Sequence, residues 1–210
     1  MINLILSDTK RSLEYLKGIF NHKFRINKII LYAKKKGEVY KFLKRKKIGK
    51  LLINCKTNNI NSSLIEKKSN LDKSKFNIIS TYPGEKVKKK LLLSKNLLHC
   101  HPGDLPSFKG STTIYYSILL KKKICVTIFI MSNKVDEGRI LYKKHFLYPK
   151  NLNQIEKNFD NKIRALTLVE YINSKKNKKY KNSRDDYLPY YIAHPIIRQI
   201  VLNKKKIYST

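Results

Sequence analysis

The sequence predicts an α/β protein whose sheet is mostly parallel and flanked by helices. Three observations predict it. Short apolar runs alternate with segments of helical periodicity as far as about residue 122. Residues 124–131, Ile-Cys-Val-Thr-Ile-Phe-Ile-Met, are almost continuously apolar, as a strand buried on both faces must be. Turn-forming residues fall where strands should end, at Tyr82-Pro83-Gly84 and Pro102-Gly103.

The elements follow in order. Residues 2–6 read as a strand, and residues 10–20 as a helix with Leu13, Leu16, Ile19 and Phe20 on one side. Ile26–Tyr32 makes a second strand. Residues 34–50 are basic and predict a solvated helix with Val39, Phe42 and Leu43 turned inward. Leu51–Asn54 and Phe76–Ser80 are further strands, and Leu97–His101 is the strand that ends on the histidine. Gly110-Ser111-Thr112 can cap a helix running through Ile114, Tyr115, Ile118 and Leu119. Residues 140–146 form a last strand. Residues 153–172 form the longest helix, with Ile155, Phe159, Ile163, Leu166 and Val169 at helical spacing. Residues 174–186 are polar and Lys-rich, hence a loop, and the apolar tail 190–202 must dock. Residues 1–150 therefore read as a catalytic domain, and 151–210 as a C-terminal helix, basic loop and tail packed on it.

A chain of 210 residues, 41% of them hydrophobic, can bury one full-sized core. No apolar run approaches the length needed to span a bilayer. The start, Met1-Ile2-Asn3-Leu4-Ile5-Leu6, lacks the basic stretch and cleavage site of a signal peptide. Three cysteines, Cys55, Cys100 and Cys125, form no CxxC pair and suit a reducing compartment, so a cytoplasmic location is expected.

The net charge is +33, from 47 Lys and Arg against 14 Asp and Glu. Charge of that size raises nucleic acid or an anionic substrate as a partner. The lysines are scattered among many Asn and Ile, however, which reads more as compositional drift. No RNP-like motif, zinc finger or Gly-Arg tract accompanies them, so nucleic acid is the less favoured partner. Neither GxGxxG nor a P-loop occurs, so nothing supports a dinucleotide or ATP cradle.

Two segments carry chemistry. The first reads His99-Cys100-His101-Pro102-Gly103-Asp104-Leu105-Pro106, then Phe108-Lys109-Gly110; the second reads Asp136-Glu137-Gly138-Arg139-Ile140-Leu141. His101, leaving an apolar run at a rigid turn, should be fixed and exposed. Asp136, leaving another apolar run, can lie beside it and form an acid–base pair. In parallel α/β sheets, sites sit at the carboxyl ends of strands, where both residues fall. Plainer roles compete: His99 and His101 could ligate a metal with Asp136 or His145, and either His101 or Asp136 could simply brace a turn. Asp104 and Glu137 read as solvated turn carboxylates, Cys100 as a small buried hydrophobe and Ser111-Thr112-Thr113 as a helix cap. Tyr115 and Tyr116 read as packing residues, Arg164 as half of a surface ion pair and His194-Pro195 as structural.

The order and spacing of these segments resemble the formyltransferases that use 10-formyltetrahydrofolate. Their pattern runs Asn-x-His-Pro-Ser-Leu-Leu-Pro, then an aromatic-x-Gly segment, then Asp-x-Gly-x-Ile-Leu. The likeness covers roughly residues 75–146 well and implies a Rossmann-like formyltransferase fold. It implies 10-formyltetrahydrofolate as cofactor and a primary amine as acceptor. It makes His101 the catalytic histidine, Asp136 the catalytic carboxylate and His99 the occupant of the family's Asn position. It also draws Pro102, Gly103, Leu105 and Gly138 to the cofactor. No metal is expected, since no further ligand spacing stands out. The chemistry agrees with the resemblance. A developing oxyanion needs a donor, plausible for His101 with His99, and the attacking nitrogen must lose a proton to a carboxylate-paired imidazole.

Of the acceptors known in the family, a nucleotide-linked amino sugar is expected here. Methionyl-tRNA enzymes carry a further C-terminal β-domain for which this chain ends too early, and glycinamide ribonucleotide enzymes lack the Ser-Thr-Thr-Ile-Tyr-Tyr run. A catalytically degenerate, basic RNA-binding protein is the alternative from another class. Pairing through the apolar tail into a homodimer is a further expectation, and no membrane partner is expected.

Overall fold

Residues 2–7, four of them apolar, are all buried, so the first strand, β1 (Ile2–Ser7), lies in the middle of a sheet. A computed structural model describes residues 1–33, 35–46, 51–54, 59–62, 76–174 and 192–207. They form two units: Met1–His99 with Ile130–Asn133, and Cys100–Phe129 with Lys134–Thr210.

In the first unit α1 (Lys10–Asn21) begins at Thr9, whose hydroxyl accepts from the Ser12 amide, as an N-cap should. Tyr15, Leu16 and Ile19 form its buried stripe. Strand β2 (Ile26–Tyr32) and strand β4 (Phe76–Ser80) both pair with β1 in parallel, and β3 (Leu51–Asn54) pairs in parallel with β2. Buried polar groups on these strands find each other. Asn27 donates to Asn3 at 2.7 Å and Asn3 donates to Asn77 at 2.8 Å, a ladder across three strands.

The basic helix is shorter than its composition suggests: α2 spans Glu38–Arg45. Asp8 accepts from the amides of Gly37 and Val39 and so closes its N-terminus. Val39 and Leu43 face in, while Phe42 is half-buried edge-on to Phe20. The Tyr82-Pro83-Gly84 turn is tied by Glu85, which accepts from the Tyr32 hydroxyl, the Ile60 amide and the Tyr82 amide. Beyond it lies α3 (Lys89–Lys95), hidden in the sequence by its lysines; its Leu91 and Leu92 join Ile5, Ile30, Ile79 and Leu97 in the core.

Strand β5 (Leu97–His101) joins in parallel through Asn77–Leu97 and Ile78–Leu98. Its last two residues, Cys100 and His101, begin the second unit. There follow α4 (Thr113–Lys121), β6 (Ile124–Lys134) and β7 (Glu137–Phe146). The strand order is β3-β2-β1-β4-β5-β6-β7, a seven-stranded, mostly parallel sheet with flanking helices. Only Val135 and Asp136 separate β6 from β7, so Asp136 stands in a tight turn, with φ of +52°.

The predicted long helix is broken at its start. A 3₁₀ turn (Leu152–Gln154) leads into a π-helical turn (Ile155–Phe159), and α5 runs from Asp160 to Ser174. Ile163 and Val169 are buried as predicted, in a helix that also buries Ala165, Leu168 and Ile172. Leu166, predicted to face in, is 56% exposed, and Leu168 is buried in its place. The tail forms α6 (Pro195–Ile207), with Pro195 at its first position and His194 Nδ1 accepting from the Ile196 amide. Ala193 and Val201 are buried; Ile192, Ile196 and Ile200 are not. The predicted loop at 174–186 lies, beyond Ser174, outside the described residues. No helix among the described residues is long and apolar enough to cross a membrane.

Candidate active site

His101 is the final residue of β5, and the turn that follows folds back over its ring. The sequence reading expected an exposed imidazole; here it is 2% exposed. Its Nε2 lies 2.7 Å from the Phe108 carbonyl. A carbonyl can only accept, so Nε2 carries the proton and, in the neutral ring, Nδ1 carries the lone pair. That lone pair faces Asp136, whose Oδ2 is 3.6 Å from Nδ1. The Phe129 ring meets the imidazole edge-on with centroids 6.5 Å apart.

Each part is held from a second direction. Asp136 Oδ2 accepts from the Gly110 amide at 2.6 Å, which fixes the carboxylate between amide and imidazole. Gly110 takes φ of +102°, a conformation glycine adopts without penalty. Thr113 donates to the Pro102 carbonyl at 2.8 Å, and its oxygen lies 3.4 Å from His101 Nε2. Thr127, the lone hydroxyl in the apolar run of β6, donates to the Gly103 carbonyl at 2.7 Å and accepts from the Leu105 amide at 3.3 Å. It therefore pins the turn on both sides of Asp104. A Cβ on Gly103 would stand 2.6 Å from His101 Nε2 and 2.7 Å from both the Phe108 oxygen and the Thr113 hydroxyl. Glycine is required there for space.

Burial lowers the His101 pKa. Asp136 and the Phe108 carbonyl oppose this, Arg164 adds to it and Asp160 opposes it. Asp136 alone would make the ring more basic, but desolvation is the larger effect and the sum is downward. The site holds a neutral imidazole beside a carboxylate.

Of the other sequence-derived candidates, Pro102, Gly103 and Leu105 are buried in the turn beneath the ring. Gly138 is half-buried in β7, two residues past Asp136. His99 is half-buried on β5, and Cys100 between the histidines is 1% exposed, a thiol and not a disulfide. The Ser111-Thr112-Thr113 cap is not what forms. Thr112 takes φ of +52° and makes no side-chain cap bond; it accepts instead from the Ala193 amide at 2.6 Å. Asp104 is not a solvated turn carboxylate either. Burial would raise its pKa, but bonds from Lys143 at 2.7 Å and Lys121 at 3.0 Å outweigh that and lower it. Glu137 pairs with the buried Lys109 at 2.9 Å. Arg164 is not at the surface but 7% exposed.

The alternative metal site, His99 and His101 with Asp136 or His145, is not what clusters. Among the described residues the close group is Asp104, Cys125 and His145, with ligand atoms within 4.8 Å of one another. Both Asp104 oxygens are taken by lysines, and burial pushes the Cys125 thiol up to about 12. Thr127 and the Phe108 carbonyl went unnoticed in the sequence, and Thr113 was read only as part of a helix cap. A single threonine inside an apolar β-run was the one signal available for Thr127.

The order of strands and helices is the fold of solved formyltransferases. An N-formyltransferase from Helicobacter canadensis, solved with folinic acid and dTDP-3-aminofucose, superposes with a TM-score of 0.62 at 17% identity, over 98% of this chain and 81% of that one. A sugar N-formyltransferase from a Shewanella species gives 0.59 at 15% identity, over 96% and 86%. Methionyl-tRNA formyltransferase from Clostridium thermocellum gives 0.60 at 14%, over 93% and 74%. At these identities the likeness is one of fold. No family model matches the sequence, and no curated protein matches it either.

Proposed function

We propose that this chain transfers a formyl group from 10-formyltetrahydrofolate to a primary amine carried on a nucleotide-linked sugar. The observation that carries the reading is the buried His101–Asp136 pair, 3.6 Å apart, on a fold shared with formyltransferases. The folate, when bound, supplies an activated formyl carbon, and we assign Pro102, Gly103, Leu105 and Gly138 to its surroundings. An amine attacking such a carbon must shed a proton, and His101 Nδ1 has the lone pair to take it. Burial keeps the ring neutral beforehand, which suits a base. Once protonated, the ring donates from Nε2 to the Phe108 carbonyl and faces Asp136 with Nδ1–H, so the carboxylate favours the charged form. His99 takes the role of hydrogen-bond donor to the formyl oxygen.

The nucleotide-sugar acceptor is supported by the ligand pair bound to the Helicobacter canadensis protein and by the net charge of +33, which attracts phosphates. The buried thiols of Cys100 and Cys125 support a reducing, cytoplasmic setting. The test is an assay with 10-formyltetrahydrofolate and a panel of nucleotide-linked amino sugars. His101→Ala and Asp136→Asn should each lower kcat by about 10²- to 10⁴-fold. A wild-type rate in His101→Ala, or no transfer to any amine of the panel, would overturn the proposal. The charge also favours one rival, a basic RNA-binding protein without activity. Its signature is RNA retention that His101→Ala leaves unchanged, with no transfer by the wild type.

A further inference from the structure

Charged pairs are rarely buried without a purpose, because desolvation takes back much of what their attraction gives. Arg164 and Asp160 form such a pair on the first turns of α5. Arg164 Nε donates to Asp160 Oδ1 at 2.9 Å, with side chains 8% and 19% exposed. The guanidinium turns a second edge to β5, where Nη1 donates to the Cys100 carbonyl at 3.2 Å. That carbonyl belongs to the peptide bond leading into His101. The π-helical turn that ends at Phe159 sets where α5 begins, and hence where Asp160 stands.

We infer that Arg164, held by Asp160, is a positioning residue for His101: it fixes the peptide plane from which the imidazole projects and balances the charge around it. The inference rests on the formyl-transfer reading for its kinetic consequences. The charged groups facing His101 are Asp136 from the β6–β7 turn, and Arg164 with Asp160 from α5; Thr113 from α4 and the Phe108 carbonyl are its neutral polar neighbours. Arg164 and Asp160 act on the ring in opposite senses, the cation lowering its proton affinity and the carboxylate raising it. Asp136 adds its own charge 3.6 Å from Nδ1.

A positioning role makes the two single variants move His101 in opposite directions, which a purely structural role does not. Five histidines make the ring protons resolvable by NMR, and the His101 signal is assigned by its loss in His101→Gln. In the full chain, Arg164→Met should raise the pH at which His101 titrates, Asp160→Asn should lower it, and the double variant should lie near wild type. Arg164→Lys keeps the cation but loses the fork, so the titration should stay while kcat falls roughly 10- to 100-fold. The acid limb of kcat/KM should follow the NMR midpoints. Shifts of one sign in both single variants, or none, would overturn the inference. Should Arg164→Met fail to fold, Asp160→Asn and Arg164→Lys still decide it. Opposed NMR shifts in a protein with no transferase activity would leave this inference standing and sink the formyl-transfer reading.

Discussion

At the scale of single residues, Gly103 shows how closely the imidazole is confined. Three atoms already occupy the space a side chain would need there. Gly103→Ala should therefore break the His101–Phe108 bond and tilt the ring, lowering kcat by about 100-fold. Overpacking should also lower stability by about 1–3 kcal/mol, read from urea unfolding. His101 makes stability depend on pH with a definite sign. Folding lowers its pKa, so the unfolded chain takes up the proton first as pH drops below about 6.5. The contribution of the neutral ring is present above that value and is lost as pH falls toward the lowered folded-state value. Wild type should lose more stability than His101→Gln between about pH 7.5 and about pH 5; parallel curves would refute this. The pair itself was legible because His-Pro-Gly and Asp-x-Gly are turn signals on apolar runs. Its burial was not, since the covering atoms are the backbone of Phe108 and the hydroxyl of Thr113.

At the scale of elements, the sheet was written plainly in the sequence and the helices less so. Strand runs such as Ile26–Tyr32 and Phe76–Ser80 fall where they were expected, because runs of β-branched and other apolar residues fit few other environments. Helix α3 escaped because lysines dilute its three leucines, and the π-helical turn because no local residue type announces it. The buried face of α5 gives a direct check. Leu168→Ala should cost about 2–5 kcal/mol, whereas Leu166→Lys should stay within about 0.5 kcal/mol of wild type. Equal losses would put Leu166 on the buried face. The turn carrying Gly103 depends on one hydroxyl in the same way. Thr127→Val leaves the Leu105 amide and Gly103 carbonyl without that partner and should cost about 1–3 kcal/mol.

At the scale of the whole molecule, a net charge of +33 on 210 residues is the dominant quantity. Like charges spread over a folded surface repel, and the unfolded chain relieves that repulsion by expanding. Raising NaCl from about 0.02 M to about 0.5 M, which shortens the screening length several-fold, should raise Tm. A falling Tm would mean that pairs such as Lys143–Asp104 outweigh the repulsion. Composition announced this charge at once, but it could not show that several lysines are committed to specific carboxylates, as Lys109 is to Glu137.

The bond between His101 Nε2 and the Phe108 carbonyl reaches beyond geometry, into the traffic of protons. Many histidine catalysts pass a proton through the ring, in at one nitrogen and out at the other. Here one nitrogen is committed to a carbonyl that has no proton to give and no place to send one. Whatever His101 accepts at Nδ1 must depart from Nδ1. In the proposed reaction, each turnover then waits for that same position to be cleared, by the departing cofactor or by water, before the next amine can be used.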